Sequence, residues 1–183
     1  MRVIAGAAKG RRLASVPGSG TRPITNRVKE SLFGILQPRI AGARFLDLFA
    51  GTGAVGIEAL SRGAAGAWFV ERDWQAIRVI RHNLEATGLA ARARVVRDDA
   101  FRFLKTADTE FDIIHIAPPQ YKGMWARALE ETNSAAVLAP GGLAVVQIYP
   151  KEYREAPLRN LTLVDQRTYG STMLCFYQRA DES

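Results

Sequence analysis

Cysteine and histidine are almost missing from this chain: Cys175, His82 and His115 are the only three among 183 residues. A lone thiol forms no internal disulfide, and three scattered ligands do not build an ordinary zinc site. Disulfide-stapled secreted domains and zinc ribbons are therefore excluded, and a reducing cytoplasm is the expected setting. Long apolar runs are missing too. No stretch approaches the ~20 residues that a membrane helix requires, and Arg2 and Lys9 bracket an early apolar stretch too short for a secretory signal. No Ser–His–Asp spacing, P-loop lysine or pair of metal-ligating carboxylates stands out, so no metal is expected. What is present is ordinary for a globular chain, 48% hydrophobic and 23% charged residues, at a length suited to one domain with a small appendage.

Acidic residues are scarce in one place. Residues 1–44 hold nine Lys and Arg against the single acid Glu30, a net charge of +8, whereas residues 45–183 carry −1. A basic arm on a nearly neutral body is the asymmetry of nucleic-acid binding, with Arg2, Lys9, Arg11, Arg12, Arg27 and Lys29 as candidate phosphate contacts. The plainer alternative is a solvated basic surface with no partner.

The arm reads as two short extended runs, 2–5 and 11–16, joined by a turn into a hairpin. A helix capped by Thr25 or Asn26 follows, with Val28, Leu32, Ile35 and Leu36 on one face, and Pro38 is expected to end it. From Arg44 strands and helices alternate. Strands are predicted at 44–49, 67–71, 93–97, 111–116 and 143–148, and helices at 55–62, 74–87, 100–105 and 124–138. Two last extended runs, 160–168 and 172–179, flank the turn at Gly170. This alternation predicts an α/β fold with a mainly parallel sheet closed by an antiparallel hairpin. Ligands of such sheets bind beyond the carboxyl ends of the strands, here residues 47–56, 71–73, 98–100 and 116–121.

The first of these places reads Asp-Leu-Phe-Ala-Gly-Thr-Gly-Ala-Val-Gly. Gly51, Gly53 and Gly56 satisfy G-x-G-x-x-G between a strand and a helix, and Glu71 ends the next strand, where a carboxylate accepts hydrogen bonds from a ribose diol. Two cofactor classes use this pattern. Asp47 at the entrance would repel a pyrophosphate and suits a cation, which favours S-adenosyl-L-methionine over NAD. Asp98 and Asp99 are open to two uses, a helix N-cap and an acceptor for an adenine amine. Pro118 and Pro119 stiffen the turn after the fourth strand and leave carbonyls free to hold a base amine, with Tyr121 able to stack on the base. A loop that merely ends the strand is the alternative. His82 reads as surface or helix-packing and His115 as a satisfied structural histidine, with a role in the cleft as the alternative for His115. Phe45, Trp68 and Phe69 read as core.

Over nearly its whole length the chain resembles the RsmD family of bacterial methyltransferases, which modify N2 of guanine 966 (customary RNA numbering) in 16S ribosomal RNA. The resemblance lies in Arg2-Val-Ile-Ala-Gly6 with Lys9-Gly-Arg-Arg-Leu13, and in the most specific block, Thr21-Arg-Pro-Ile-Thr-Asn-Arg-Val-Lys-Glu-Ser-Leu-Phe33. It continues through the glycine segment from Asp47 to Leu60 and Phe69-Val-Glu-Arg72. It implies a Rossmann-like class I methyltransferase domain at 41–183, a seven-stranded sheet, and a basic extension at 1–40 whose hairpin holds RNA. The cofactor set it implies is Arg22, Pro23, Asp47, Phe49, Ala50, Gly51, Thr52, Gly53, Glu71, Arg72, Asp99, Ala100 and Ala117. The partner implied is 16S RNA or a small-subunit assembly particle, met by a monomer.

One position departs from the family pattern of Asp or Asn, Pro-Pro, then Tyr or Phe. Ala117 stands first, and Gln120 intervenes before Tyr121. The catalytic set is then Pro118, Pro119, Gln120 and Tyr121, with the Pro118 carbonyl and the Gln120 amide as acceptors for the target amine. Loss of one such hydrogen bond costs roughly 10²–10³ in rate. A non-catalytic RNA-binding relative that keeps the cofactor fold is the alternative, and an NAD-dependent oxidoreductase a more distant one.

Overall fold

The computed structural model describes residues 1–18 and 23–181. Seven strands form one sheet in the order β3-β2-β1-β4-β5-β7-β6. They are β1 (Arg44–Leu48), β2 (Gly66–Glu71), β3 (Ala93–Arg97), β4 (Phe111–Ile116), β5 (Leu138–Ile148), β6 (Leu161–Tyr169) and β7 (Thr172–Arg179). The first five are parallel and β7 runs antiparallel between β5 and β6. The expected Rossmann-like class I sheet with its closing hairpin is present.

Five helices cover the sheet: α1 (Asn26–Ile40), α2 (Ala54–Ser61), α3 (Trp74–Thr87), α4 (Ala100–Thr106) and α5 (Met124–Ser134). Apolar residues of α1, α2 and α3 meet Phe45, Phe69 and Ile113 on one face. Those of α4 and α5 meet Leu46, Ile114 and Val146 on the other. Alternate strand residues point to opposite faces, so each central strand, buried on both sides, reads as an unbroken apolar run. The chain builds outward from β1 to β3, then returns to lay β4 on β1's other side. That reversal opens a crevice at the carboxyl ends of β1 and β4. No helix among the described residues is long and apolar enough to cross a membrane.

Three expectations change. Pro38 does not end α1, which continues to the buried Ile40. Proline has no N–H to return to Gly34, but so close to the helix end little is lost, and burial of Ile40 completes the turn. α5 stops at Ser134, and β5 begins at Leu138 rather than Leu143, with a shift in its pairing to β4. The N-terminal hairpin is present as a short one: Arg2 bridges Arg12, the Val3 N–H donates to the Arg11 carbonyl, the Gly10 N–H to the Val3 carbonyl and the Leu13 N–H to the Met1 carbonyl. Other N–H groups of the hairpin dock it on α2: those of Ile4 and Ala5 donate to the Glu58 carboxylate, and that of Ala8 to the Ser61 hydroxyl.

This docking corrects the reading of Lys29. Its ammonium is fully buried, 3.4 Å from Glu58, and donates to the Arg2 carbonyl at 2.7 Å. Arg62 shares Glu58 at 2.8 Å. A charge taken out of water requires such partners, so Lys29 ties the N-terminal segment to α2 and does not face RNA. Burial holds its pKa below the usual 10.5, against the attraction of Glu58.

Candidate functional site

The crevice is a cavity of about 820 Å³. β1 leads into it through Phe49, whose φ of 65° places a bulky residue in the left-handed region. Strain of this kind persists where the surroundings over-determine it, often at a ligand site. Phe49 is fixed edge-on against Phe101 at 6.0 Å. Gly51 and Gly53 then turn with φ of 58° and 79°. Gly56 serves packing: a Cβ there would lie 2.4 Å from the Phe69 ring, so only glycine lets α2 approach β2 this closely.

Carboxylates organise the turn from both sides. Asp47, buried on β1, accepts the Gly56 N–H at 3.0 Å through one oxygen, giving the unsatisfied start of α2 an anionic partner. Its other oxygen meets His115 Nδ1 at 3.2 Å. Glu71 receives the N–H groups of Gly51 at 3.0 Å, Arg72 at 2.9 Å and Asp73 at 3.0 Å. Asp99 caps α4 by accepting from Phe101 and Arg102, while Asp98 pairs with Arg102. The cap therefore falls to Asp99, and both aspartates border the cavity.

Most of the residues singled out from the sequence line this space: Pro23, Asp47, Phe49, Ala50, Gly51, Thr52, Glu71, Arg72, Asp99, Ala100, Ala117, Pro118, Pro119 and Gln120. Gly53 lies beneath the lining against Ile80 and Phe69. Arg22 is outside the described residues. Tyr121 departs from expectation. It is 68% exposed, adopts a φ of 61°, meets the Tyr149 ring at a tilt with centroids 5.5 Å apart and does not line the cavity. The extra residue, Gln120, occupies the rim, and the aromatic ring turns outward beyond it.

Several lining residues carried little signal in the sequence. His115 is satisfied, as expected, but it also borders the cavity, and its Nε2 lies 3.0 Å from Gln147 Oε1. Buried Asp47 and His115 and half-buried Gln147 form a hydrogen-bonded polar row across β1, β4 and β5. Gln147, a polar residue in the otherwise apolar end of β5, was the available clue. Ser15, Val16 and Ile24 bring the N-terminal segment to the rim. Asn83 fixes this segment, accepting from Ala14 N–H at 2.7 Å and donating to the Ala14 and Thr52 carbonyls. Arg2 and Lys9 border a second, smaller hollow with Asn26 and Glu30, and Arg11, Arg12 and Arg27 are exposed. Among the described residues, no His, Cys, Asp and Glu gather as a metal site.

Comparison with known proteins places this geometry. The chain is 38% identical to YlbH of Bacillus subtilis over 98% of its own length and 99% of that protein's. It is 36% identical to Ribosomal RNA small subunit methyltransferase D of Escherichia coli K12, covering 98% and 90%. The solved structure of yhhF from Escherichia coli superposes with a TM-score of 0.87 at 37% identity, covering 100% of this chain and 99% of that one. A more distant structure, SMU.776 complexed with SAH, shares the fold at a TM-score of 0.69 and 18% identity, covering 82% of this chain and 49% of that one. The family model described as conserved hypothetical protein 95 matches residues 1–178, and the chain belongs to that family, the RsmD-type methyltransferases.

Proposed function

We propose that this chain transfers a methyl group from S-adenosyl-L-methionine to the exocyclic N2 of a guanine in 16S ribosomal RNA, on the small subunit or a particle assembling into it. The observation that carries the reading is the ring of carboxylates around the glycine turns: Asp47, Glu71, Asp98 and Asp99 in one cavity of about 820 Å³. That volume suits a nucleoside-sized ligand. Four carboxylates disfavour the pyrophosphate of NAD and favour a cationic sulfonium. A Cβ on Gly51 would meet no atom within 4 Å, so its backbone borders open space that a ligand can fill.

Once bound, the cofactor supplies an electrophilic methyl group. The chain holds and aligns the reactants. Asp47 through Gly53 cradle the methionine part, Glu71 takes the ribose hydroxyls with its remaining lone pairs, and Asp99 with Ala100 meets the adenine. A guanine amine is a weak nucleophile, because its lone pair is delocalised into the ring. The Pro118 carbonyl and the Gln120 amide accept its hydrogens and turn the lone pair toward the methyl group, so catalysis is mainly alignment. Residues 1–40 serve as the RNA-holding extension through Arg2, Lys9, Arg11, Arg12 and Arg27, and residues 41–183 carry the cofactor. The protein acts as a monomer in the cytoplasm.

Ala117 and the outward Tyr121 favour one second reading, an RNA binder that keeps the cofactor without turnover. Incubation with methyl-deuterated cofactor and under-methylated small-subunit particles, followed by nuclease digestion and mass spectrometry, separates the two. Labelled N2-methylguanosine at one site supports the transferase. Unlabelled RNA despite cofactor binding supports the second reading.

A further inference from the structure

We infer that Trp74 and the arginines around it form a second RNA-holding site, which receives the single-stranded nucleotides flanking the base that enters the cleft. The inference rests on the RNA-methyltransferase reading and extends it to a surface that the N-terminal charge excess does not include.

Trp74 opens α3 and leaves 48% of its surface in water, while Trp125 is 2% exposed. The Arg81 guanidinium lies 5.7 Å from its ring centroid and that of Arg97 lies 5.4 Å away. Arg97 also reaches the Arg72 carbonyl. Arg78 follows Trp74 by four residues and Arg81 by seven, spacings that share one helical face. Arg72, Arg78, Arg81 and Arg97 are all exposed, and among the described residues none pairs with a carboxylate. The nearby acids are turned to the backbone: Asp73 caps Gln75, and Glu71 takes three N–H groups. Glu85, one turn past Arg81, marks the end of the basic face. The region belongs to a body whose net charge is −1, so this local excess is hidden in the average.

An aromatic ring among unpaired guanidiniums fits single-stranded RNA, because bases stack on the ring while the cations meet phosphates. The position fits as well. Arg72 and Asp73 line the cleft, and Trp74, the next residue, does not. A strand leaving the cleft at this rim therefore crosses Trp74 first.

Fluorescence anisotropy with a labelled single-stranded RNA, run as a salt series, tests the site on the full chain, with calorimetric titration of S-adenosyl-L-methionine as the companion measurement. Trp74→Ala is expected to weaken RNA binding roughly tenfold, and Trp74→Phe less because stacking survives. The Arg78→Glu/Arg81→Glu variant is expected to lower the slope of log affinity against log salt by about 0.7 per lost phosphate contact. Cofactor affinity should stay unchanged in all three. Wild-type RNA binding that survives Trp74→Ala and the double variant undiminished overturns this site and leaves the proposed function standing. A Trp74→Ala variant that loses cofactor affinity assigns the ring to the cofactor and overturns the inference as well. A wild-type chain that binds no RNA removes both.

Discussion

The two ends of the cleft are held by opposite means. At the cofactor end, Glu71 is clamped by three backbone N–H groups and Asp47 by Gly56 and His115, so the carboxylates stand in place before any ligand arrives. At the acceptor end, Pro118 and Pro119 fix the backbone, but Gln120 is exposed and Tyr121 points to solvent against Tyr149. Groups oriented in advance cost no reorganisation when a ligand binds. On the proposed function, the difference teaches that the cofactor site is prebuilt, whereas the acceptor site would rely on RNA held from outside, by the N-terminal segment and the rim.

The sharpest way to break this contrast is Asp47→Ala, which leaves the Gly56 N–H and His115 without their shared partner. We expect a loss of about 3 kcal/mol in denaturant stability, from the cost of unsatisfied buried groups, and no measurable cofactor binding. Stability within about 0.5 kcal/mol of the parent would mean that Asp47 does not organise the turn. Next, Glu71→Ala is expected to lower cofactor affinity about 100-fold by calorimetry while the chain stays folded, as lost charge-assisted hydrogen bonds require. At the other end, Gln120→Ala should slow methyl transfer about 100-fold, one acceptor lost out of two, with cofactor affinity unchanged. Equal losses in both quantities would erase the division between the two ends.

The smallest expected effect concerns the segment that borders both. Because burial lowers the pKa of Lys29, the unfolded chain binds more protons than the folded one in the alkaline window below 10.5. Stability should therefore rise with pH across that window. In Lys29→Met, urea midpoints measured through the same range should lose that rise.

What was legible in the sequence was what the backbone dictates. Gly51, Gly53 and Gly56 announce a strand–turn–helix because the first two take a positive φ that side chains disfavour and a Cβ on the third would strike Phe69, and Glu71 follows at the end of the next strand. Side-chain direction was less legible. Lys29 resembled its basic neighbours because its partner, Glu58, lies a whole element away and meets it only after α1 packs on α2. Tyr121 takes a φ of 61° and meets Tyr149 outside the cleft, a contact with a residue 28 positions away that its local segment does not announce. Gln147 and His115 joined the site through strand neighbours distant in the chain, and the arginines near Trp74 were concealed by acids elsewhere in the body. Proline 38 misled for a local reason: a missing N–H matters little in the last turn of a helix whose final residue is buried.

The central claim is that the clamped end of the cleft takes S-adenosyl-L-methionine without help from RNA. Calorimetric titration of the RNA-free chain with S-adenosyl-L-methionine and, separately, with NAD tests it most directly. The account predicts saturable binding of one S-adenosyl-L-methionine per chain and no heat of binding from NAD. Saturable NAD binding, or a cleft that stays indifferent to S-adenosyl-L-methionine, would contradict it.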